Sequence, residues 1–217
     1  MGKAGTQLEA ARRLAGRLNF LPIAAFGLWS IPAKLFWLIA LGIVPWFHQA
    51  PSFESALPWF VGALLTGPPA FLLPRSFHEP RDWEYRGTFY RRMGVELFRA
   101  IVANGDLVNR FVRARHGSGY SVYGADIERL IPKSIFNERR HIAYLCWGMA
   151  SAYYAWSMGW SGWAAWLAIT NVGANLYPTM LQRYSRARVM RLAMAAQRRR
   201  PRGPGFGAPL ANEGTAA

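Results

Sequence analysis

Three clusters of polar side chains sit beside or inside apolar runs of this chain, and each could do chemistry. Glu138-Arg139-Arg140-His141 places an acid, two cations and an imidazole directly before an apolar run. Desolvation shifts pKa values in such a place, and a histidine with a pKa near 7 is a natural general base. The stretch Asn171-x3-Asn175-x-Tyr177-Pro178-x3-Gln182-Arg183-Tyr184-x-Arg186-x-Arg188 sets two amides one helical turn apart and ends in guanidiniums. Amides can donate to a developing oxyanion, and guanidiniums clamp phosphates bidentately. Trp83-Glu84-x2-Gly87-x2-Tyr90 adds a further carboxylate.

Each cluster also has a plainer reading. An acid and basic residues at an apolar boundary can be a solvated topology signal. Asn on an apolar helix commonly glues helices together for roughly 0.6 to 2 kcal/mol. Arg after an apolar run anchors to anionic lipid, and Trp83 and Tyr90 suit packing at an interface.

Other signatures are absent: no Gly-x-Ser-x-Gly elbow, no phosphate-binding Gly-rich loop, no His-Glu-x-x-His and no Cys/His zinc spacing. His78-Glu79-Pro80-Arg81-Asp82 approaches the His-x4-Asp box of glycerolipid acyltransferases, but three residues rather than four separate His from Asp and Pro80 breaks the turn. Cys146 is the only cysteine, which excludes an internal disulfide and any multi-thiolate metal site, and no metal ligand set is expected.

The elements that must position these clusters follow from hydropathy. Four apolar runs, residues 31–47, 56–73, 142–157 and 163–180, approach the roughly 17 to 25 residues that a helix needs to cross the bilayer core. The expected fold is all-α: a polytopic membrane protein of about four transmembrane helices, with an interfacial N-terminal helix and a cytoplasmic helical segment between spans two and three. The divisions are 1–30 (interfacial segment, with Leu8, Ala11, Leu14 and Leu18 on one face), 31–74 (first hairpin), 75–140 (cytoplasmic segment), 141–182 (second hairpin) and 183–217 (basic tail and disordered end). Ser30 with Pro32 reads as a helix start that lets Lys34 snorkel to the headgroups; the alternative is one helix from Phe20 with Lys34 at mid-depth. Thr66-Gly67-Pro68-Pro69 must kink or end the second span. Gly87 to Val102 reads as one amphipathic helix with Phe89, Met93, Leu97 and Ile101 at helical spacing, Gly117 to Tyr123 as a loop, and Gly159-Trp160-Ser161-Gly162 as the turn of the second hairpin.

Charge orients this arrangement. The connections 48–55 and 158–162 contain no Lys or Arg, whereas both terminal segments and the central one are rich in them. The positive-inside rule places both termini and the central segment in the cytoplasm of a bacterial-type inner membrane, crossed several times. A net charge of +15 faces an anionic leaflet, each juxtamembrane cation contributing about 1 kcal/mol. Nucleic-acid binding is not expected, because such a protein would not interleave its cations with spanning-length apolar runs. Trp46, Trp59, Trp156, Trp160 and Trp163 fall near the run ends, as aromatic belts do. No cleavable signal peptide is expected, since the first long apolar run lies far in and lacks a small-residue cleavage site. Oligomeric state is not legible.

The order and spacing of the three clusters resemble the glycosyl-4,4'-diaponeurosporenoate acyltransferase family, membrane enzymes that esterify the sugar of a glycosylated carotenoid. The specific part is Asn175-Leu-Tyr-Pro-Thr-Met-Leu-Gln-Arg-Tyr-Ser-Arg-Ala-Arg188, similar to the family's Asn-(Val/Leu)-(Tyr/Pro)-x4-Gln-Arg-Tyr-Asn-Arg-x-Arg ending. Glu84, Gly87 and Glu138 ahead of Trp147 match more weakly, and the resemblance covers roughly residues 70–200. Ser185 stands where the family has Asn. Ala143 and Cys146 stand at the family's acidic and His positions, which leaves His141, about one turn earlier, to substitute.

The resemblance implies an O-acyltransferase acting on a lipid-soluble, glycosylated carotenoid or terpenoid hydroxyl. It needs no cofactor, and acyl-CoA or an acyl carrier protein thioester is the co-substrate. His141 oriented by Glu138 would be the base, with Glu84 a further catalytic candidate. Arg183, Arg186 and Arg188 would hold donor phosphates, Asn171 or Asn175 would donate to the oxyanion, and Gln182 and Tyr184 would complete the substrate site. The rival reading is a non-catalytic protein that binds anionic lipid or scaffolds a membrane complex.

The topology is testable with single cysteines in a Cys146→Ala background. Cysteines at Ser52 and Ser161 should react with an impermeant thiol reagent outside intact cells, and one at Ser118 should not. Labelling at Ser118 would overturn the orientation.

Overall fold

In the computed structural model, residues 3–44, 51–102, 106–116 and 127–199 are described, and every regular element among them is helical. The loop expected from Gly117 and the tail beyond Arg199 lie outside the described residues.

α1 (Lys3–Trp29) runs almost directly into α2 (Ile31–Ala40). Ser30 marks a joint rather than a fresh start. Its N–H reaches the Phe26 carbonyl at 3.0 Å and its carbonyl accepts from Lys34 at 3.1 Å, so the helical ladder passes through it. Pro32 sits in the first turn of α2, where a missing N–H costs least. α3 (Phe53–Leu65) is capped by the Ser52 hydroxyl and stops before the prolines, and the chain continues as a 3₁₀ turn (Pro68–Leu72).

Two stretches among the described residues, Glu9–Ala40 and Phe53–Leu72, are long and apolar enough to cross a membrane. Only 28% and 22% of their most apolar windows are buried. Leu21, Leu28, Leu64 and Leu72 therefore point outward, as lipid-facing side chains would. Two such helices are found, not the four expected. The third run occupies only the second half of a helix that begins among charges, and the fourth is interrupted by a π turn.

Four short helices follow: α4 (Arg75–His78), α5 (Asp82–Arg86), α6 (Thr88–Arg92) and α7 (Val95–Ile101). Gly87 and Gly94, with φ of +69° and +74°, separate the last three. A left-handed residue ends a helix, so the single helix expected from Gly87 to Val102 is broken at Gly94. Phe89, Met93, Leu97 and Ile101 are exposed, and Tyr90 and Val95 are the buried residues of this stretch. α8 (Asp106–His116) packs Val112 against Ala11 and Ala15 of α1. The apolar face of the N-terminal segment thus meets another helix.

α9 (Ile127–Ser157) turns through Gly159 into α10 (Ser161–Asn171), a π turn (Val172–Leu176) and α11 (Tyr177–Arg199). α2, α3, α9 and α10 share a core of Phe36, Trp37, Ala56, Ala63, Tyr154 and Leu167. Trp37 stacks on Tyr154 at 5.1 Å and donates to the Ser151 hydroxyl at 2.8 Å.

α9 and α10 meet closely at Gly148, where a Cβ would lie 2.6 Å from the Asn171 amide. Asn171 is buried and bonded to the Leu145 carbonyl at 2.9 Å, so it has little room to yield. Gly148→Ala should destabilise by about 1–3 kcal/mol and lower the thermal midpoint in detergent. Gly62→Ala, which meets nothing within 4 Å, should not. Equal midpoints for the two variants would refute this close approach.

Candidate active site

The short helices after Pro74 exist to present Glu84. In α5 its carboxylate turns back to accept the Arg81 backbone N–H at 2.7 Å, a capping interaction. Gly87 reverses the chain immediately afterwards, and the Tyr90 hydroxyl returns to donate to the same carboxylate. A Cβ at position 87 would also crowd the Tyr184 ring at 3.2 Å. Arg183, from α11, closes on Glu84 with a fork: Nε to Oε1 at 2.8 Å and Nη2 to Oε2 at 2.9 Å.

Burial pushes the Glu84 pKa up, but the bonds from Arg183, Tyr90 and Arg81 outweigh it and hold the group below its usual range. Burial, and then the same carboxylate, push the Tyr90 phenol up, so that it stays a donor.

Arg183 has a second acid. Its Nη1 donates to Glu138 at 2.9 Å and to the Phe77 carbonyl at 2.9 Å, and the guanidinium lies over the Phe77 ring. Glu138, on α9, is fully buried and also receives Nη2 of Arg186, whose Nη1 bonds Ser134 at 3.0 Å. Burial alone would lower the Arg183 pKa, but the two carboxylates keep it above its usual value.

His78 completes this lattice. Arg139 donates through Nε to His78 Nε2 at 3.3 Å and through Nη2 to the Leu73 carbonyl at 2.6 Å. Because Nε2 accepts, the proton of the neutral ring sits on Nδ1, which lies 3.2 Å from Glu138 in a bent contact. Burial lowers the His78 pKa more than the neighbouring Glu138 raises it, and Arg139 and Arg186 lower it further.

The expected Glu138–His141 pair does not form. Glu138 is taken by the guanidiniums of Arg183 and Arg186, whose charge-assisted bonds outcompete a neutral imidazole. His141 instead bonds Asn175 on the π turn, Nδ1 to Oδ1 at 3.3 Å. Asn175 donates to Asn171 Oδ1 at 2.7 Å, and Asn171 donates to the Leu145 carbonyl. The end of this chain fixes its direction. A carbonyl can only accept, so Asn171 must present its NH₂ there, Asn175 must present its own to Asn171, and Asn175 Oδ1 is left facing the ring. His141 Nδ1 carries the proton and Nε2 the lone pair.

The other expected residues are scattered. Arg183 and Arg186 are consumed by Glu84 and Glu138, so neither is available as a phosphate clamp. Tyr184 donates to Glu96 at 2.6 Å. The Gln182 backbone carbonyl accepts from Ser134 at 3.4 Å, and Arg188 is exposed. Asp82 is exposed while His78 is buried, so no His–Asp box assembles. Sequence reasoning missed Ser134 altogether, and it named Tyr90, Arg139 and His78 only inside their local motifs, without their partners here.

Two clefts flank this framework. One, of about 330 Å³, lies between α5, α6, α7 and α11 and is lined by Glu84, Glu96, Tyr184 and five arginines. The other, of about 460 Å³, is an apolar groove between α9 and α10 at Met149, Tyr153, Trp156 and Ala164.

A family model for glycosyl-4,4'-diaponeurosporenoate acyltransferase matches residues 74–195, more than half of the chain. The chain belongs to this acyltransferase family. No curated protein and no solved structure matches it. The acyltransferase match begins just after the second apolar helix and ends within α11. It takes in Glu84, Glu138, His141, Asn175 and Arg183, and leaves the two candidate spans outside.

The lattice should make stability fall in acid. A histidine with a lowered folded pKa binds its proton more readily in the unfolded chain, so His78 costs stability as pH falls from about 6.5. Glu84, also lowered, contributes stability above about 4.5 that is lost as pH falls through its folded value. The thermal midpoint should decline below about 6.5 and more steeply below about 4.5, and His78→Asn should flatten the upper part. An unchanged upper slope in that variant would remove His78 from the account.

Proposed function

We propose that this chain esterifies a hydroxyl of a lipid-soluble, glycosylated carotenoid- or terpenoid-type acceptor with an acyl group from a thioester, at the cytoplasmic face of an inner membrane. The family match over residues 74–195 carries the reading. The two apolar helices support membrane attachment, and the α9–α10 hairpin would supply two further passes. The apolar groove along that hairpin suits a hydrocarbon acceptor.

Of the two histidines at the α9–α11 seam, His78 is fully buried with Nε2 occupied, whereas His141 is half-buried with its tautomer set by Asn175. His141 Nε2 takes the proton of the acceptor hydroxyl as its oxygen bonds the thioester carbonyl carbon. The oxyanion forms beside Asn175, whose amide has a second N–H to donate. The C–S bond then breaks, and His141 returns the proton to the departing thiolate. Glu84 and Glu138 act here as positioning residues that hold α5, α9 and α11 together through Arg183.

His141→Ala should lower turnover by on the order of 100-fold with the thermal midpoint unchanged. Adding Asn175→Leu should cost little more, because the two act as a unit. The assay is ester formation by purified protein in lipid nanodiscs given an acyl thioester and a glycosylated acceptor. Near-normal turnover in His141→Ala would remove this base, and no ester from the native protein with any thioester would favour a non-catalytic membrane role.

A further inference from the structure

The cleft between α5, α6, α7 and α11 is unlike a site for an apolar ligand. Arg86, Arg91, Arg99, Arg188 and Arg191 converge on it from four helices, α5, α6, α7 and α11. Two carboxylates share the space, and both are engaged: Glu84 by the Arg183 fork and Glu96 by the Tyr184 hydroxyl. Arg99 pairs with Asp106 at 2.7 Å, and Arg191 donates to the Tyr85 carbonyl at 3.0 Å. Arg86, Arg91 and Arg188 are exposed and make no hydrogen bond or ion pair among the described residues. Even with the Glu96 carboxylate beside them, and with Glu84 and Arg99 paired elsewhere, these guanidiniums leave the cleft net positive, which attracts a polyanion. All five are arginines, whose planar forks match phosphate oxygens bidentately.

We propose that this cleft binds the phosphates of a small-molecule thioester donor of the coenzyme A type, which replaces Arg183 and Arg186 in that role. The volume of about 330 Å³ lies within the roughly 300–1,000 Å³ of small-ligand sites. A concave pocket selects a compact oligophosphate over the broad acidic face of a carrier protein. The 1.5 Å rise per residue puts Arg188 about 16 Å along α11 from Tyr177, next to the π turn that carries Asn175. A pantetheine arm is built to span a gap of that kind between phosphates and thioester. The naming of the donor rests on the acyl-transfer reading; the phosphate site itself does not.

The test is calorimetric titration of the full chain in neutral phosphatidylcholine nanodiscs with coenzyme A. Coenzyme A should bind, inorganic pyrophosphate should compete, and pantetheine, which has no phosphate, should bind far more weakly. Arg86→Gln and Arg188→Gln should each weaken coenzyme A by about tenfold or more with the thermal midpoint unchanged, and Arg188→Lys should recover part of the loss. Native affinity in the Gln variants, or pantetheine binding as tightly as coenzyme A, would overturn the proposal. So would loss of coenzyme A binding when phosphatidylglycerol is added to the nanodiscs, which would make the cleft a lipid headgroup site, or binding of acyl carrier protein alone. Arginine-dependent coenzyme A binding without ester formation would sink the transfer reading and leave the site. Ester formation by the Gln variants at native KM for acyl-CoA would do the reverse.

Discussion

Arg183 is the joint on which this structure depends. One guanidinium from α11 holds a carboxylate of α5 and a carboxylate of α9, and a backbone carbonyl of α4 as well. Three segments far apart in sequence are thereby fixed by a single planar group with donors in set directions. Burying two carboxylates without it would be prohibitive. Removing one partner from a buried ion pair costs about 3–5 kcal/mol, because the charge left behind has lost both water and its counter-ion. Arg186 balances the second charge, and His78, held from behind by Arg139, lies against Oε1 of Glu138. Lysine at position 183 would carry the charge but not the fork, and could not address both acids at once.

This cluster divides the polar residues of the α9–α11 seam into two groups. Those nearest the short helices are bonded mainly to one another and tie α4, α5, α9 and α11 together. His141 and Asn175 stand about a turn away along α9, at the π turn, in a chain of amides that ends on a backbone carbonyl and so has a direction. Buried, paired charges next to His141 would give the proposed acid–base chemistry a rigid support.

Much of this was legible in the sequence, and the failures have physical causes. Helical fold class and the stop before Pro68 follow from local rules that act within a few residues. The family could be read because the stretch from Asn175 to Arg188 keeps its residue types at fixed spacing. Pairing could not be read. Glu138 and His141 share a helix face, and one-dimensional spacing favours joining them, yet the partner of Glu138 is decided by guanidiniums arriving from α11. His78 was visible only as half of a box that its neighbour Asp82 never completes. The apolar residues Phe89, Met93, Leu97 and Ile101 have helical periodicity, but two left-handed glycines reset the direction of the chain between and before them. Periodicity assumes an unbroken axis.

The π turn over Val172–Leu176 sets the phase of everything after it. An α-helix advances about 100° per residue, so one residue more or less in that turn rotates the whole of α11 by more than a quarter of a circle about its own axis. Asn171, upstream, would keep its place against Gly148, while Arg183 and Arg186 would swing away from both carboxylates together. The length of a five-residue segment therefore governs whether the charges downstream find their partners. Along this stretch the chain can exchange one side chain for another far more readily than it can gain or lose a residue.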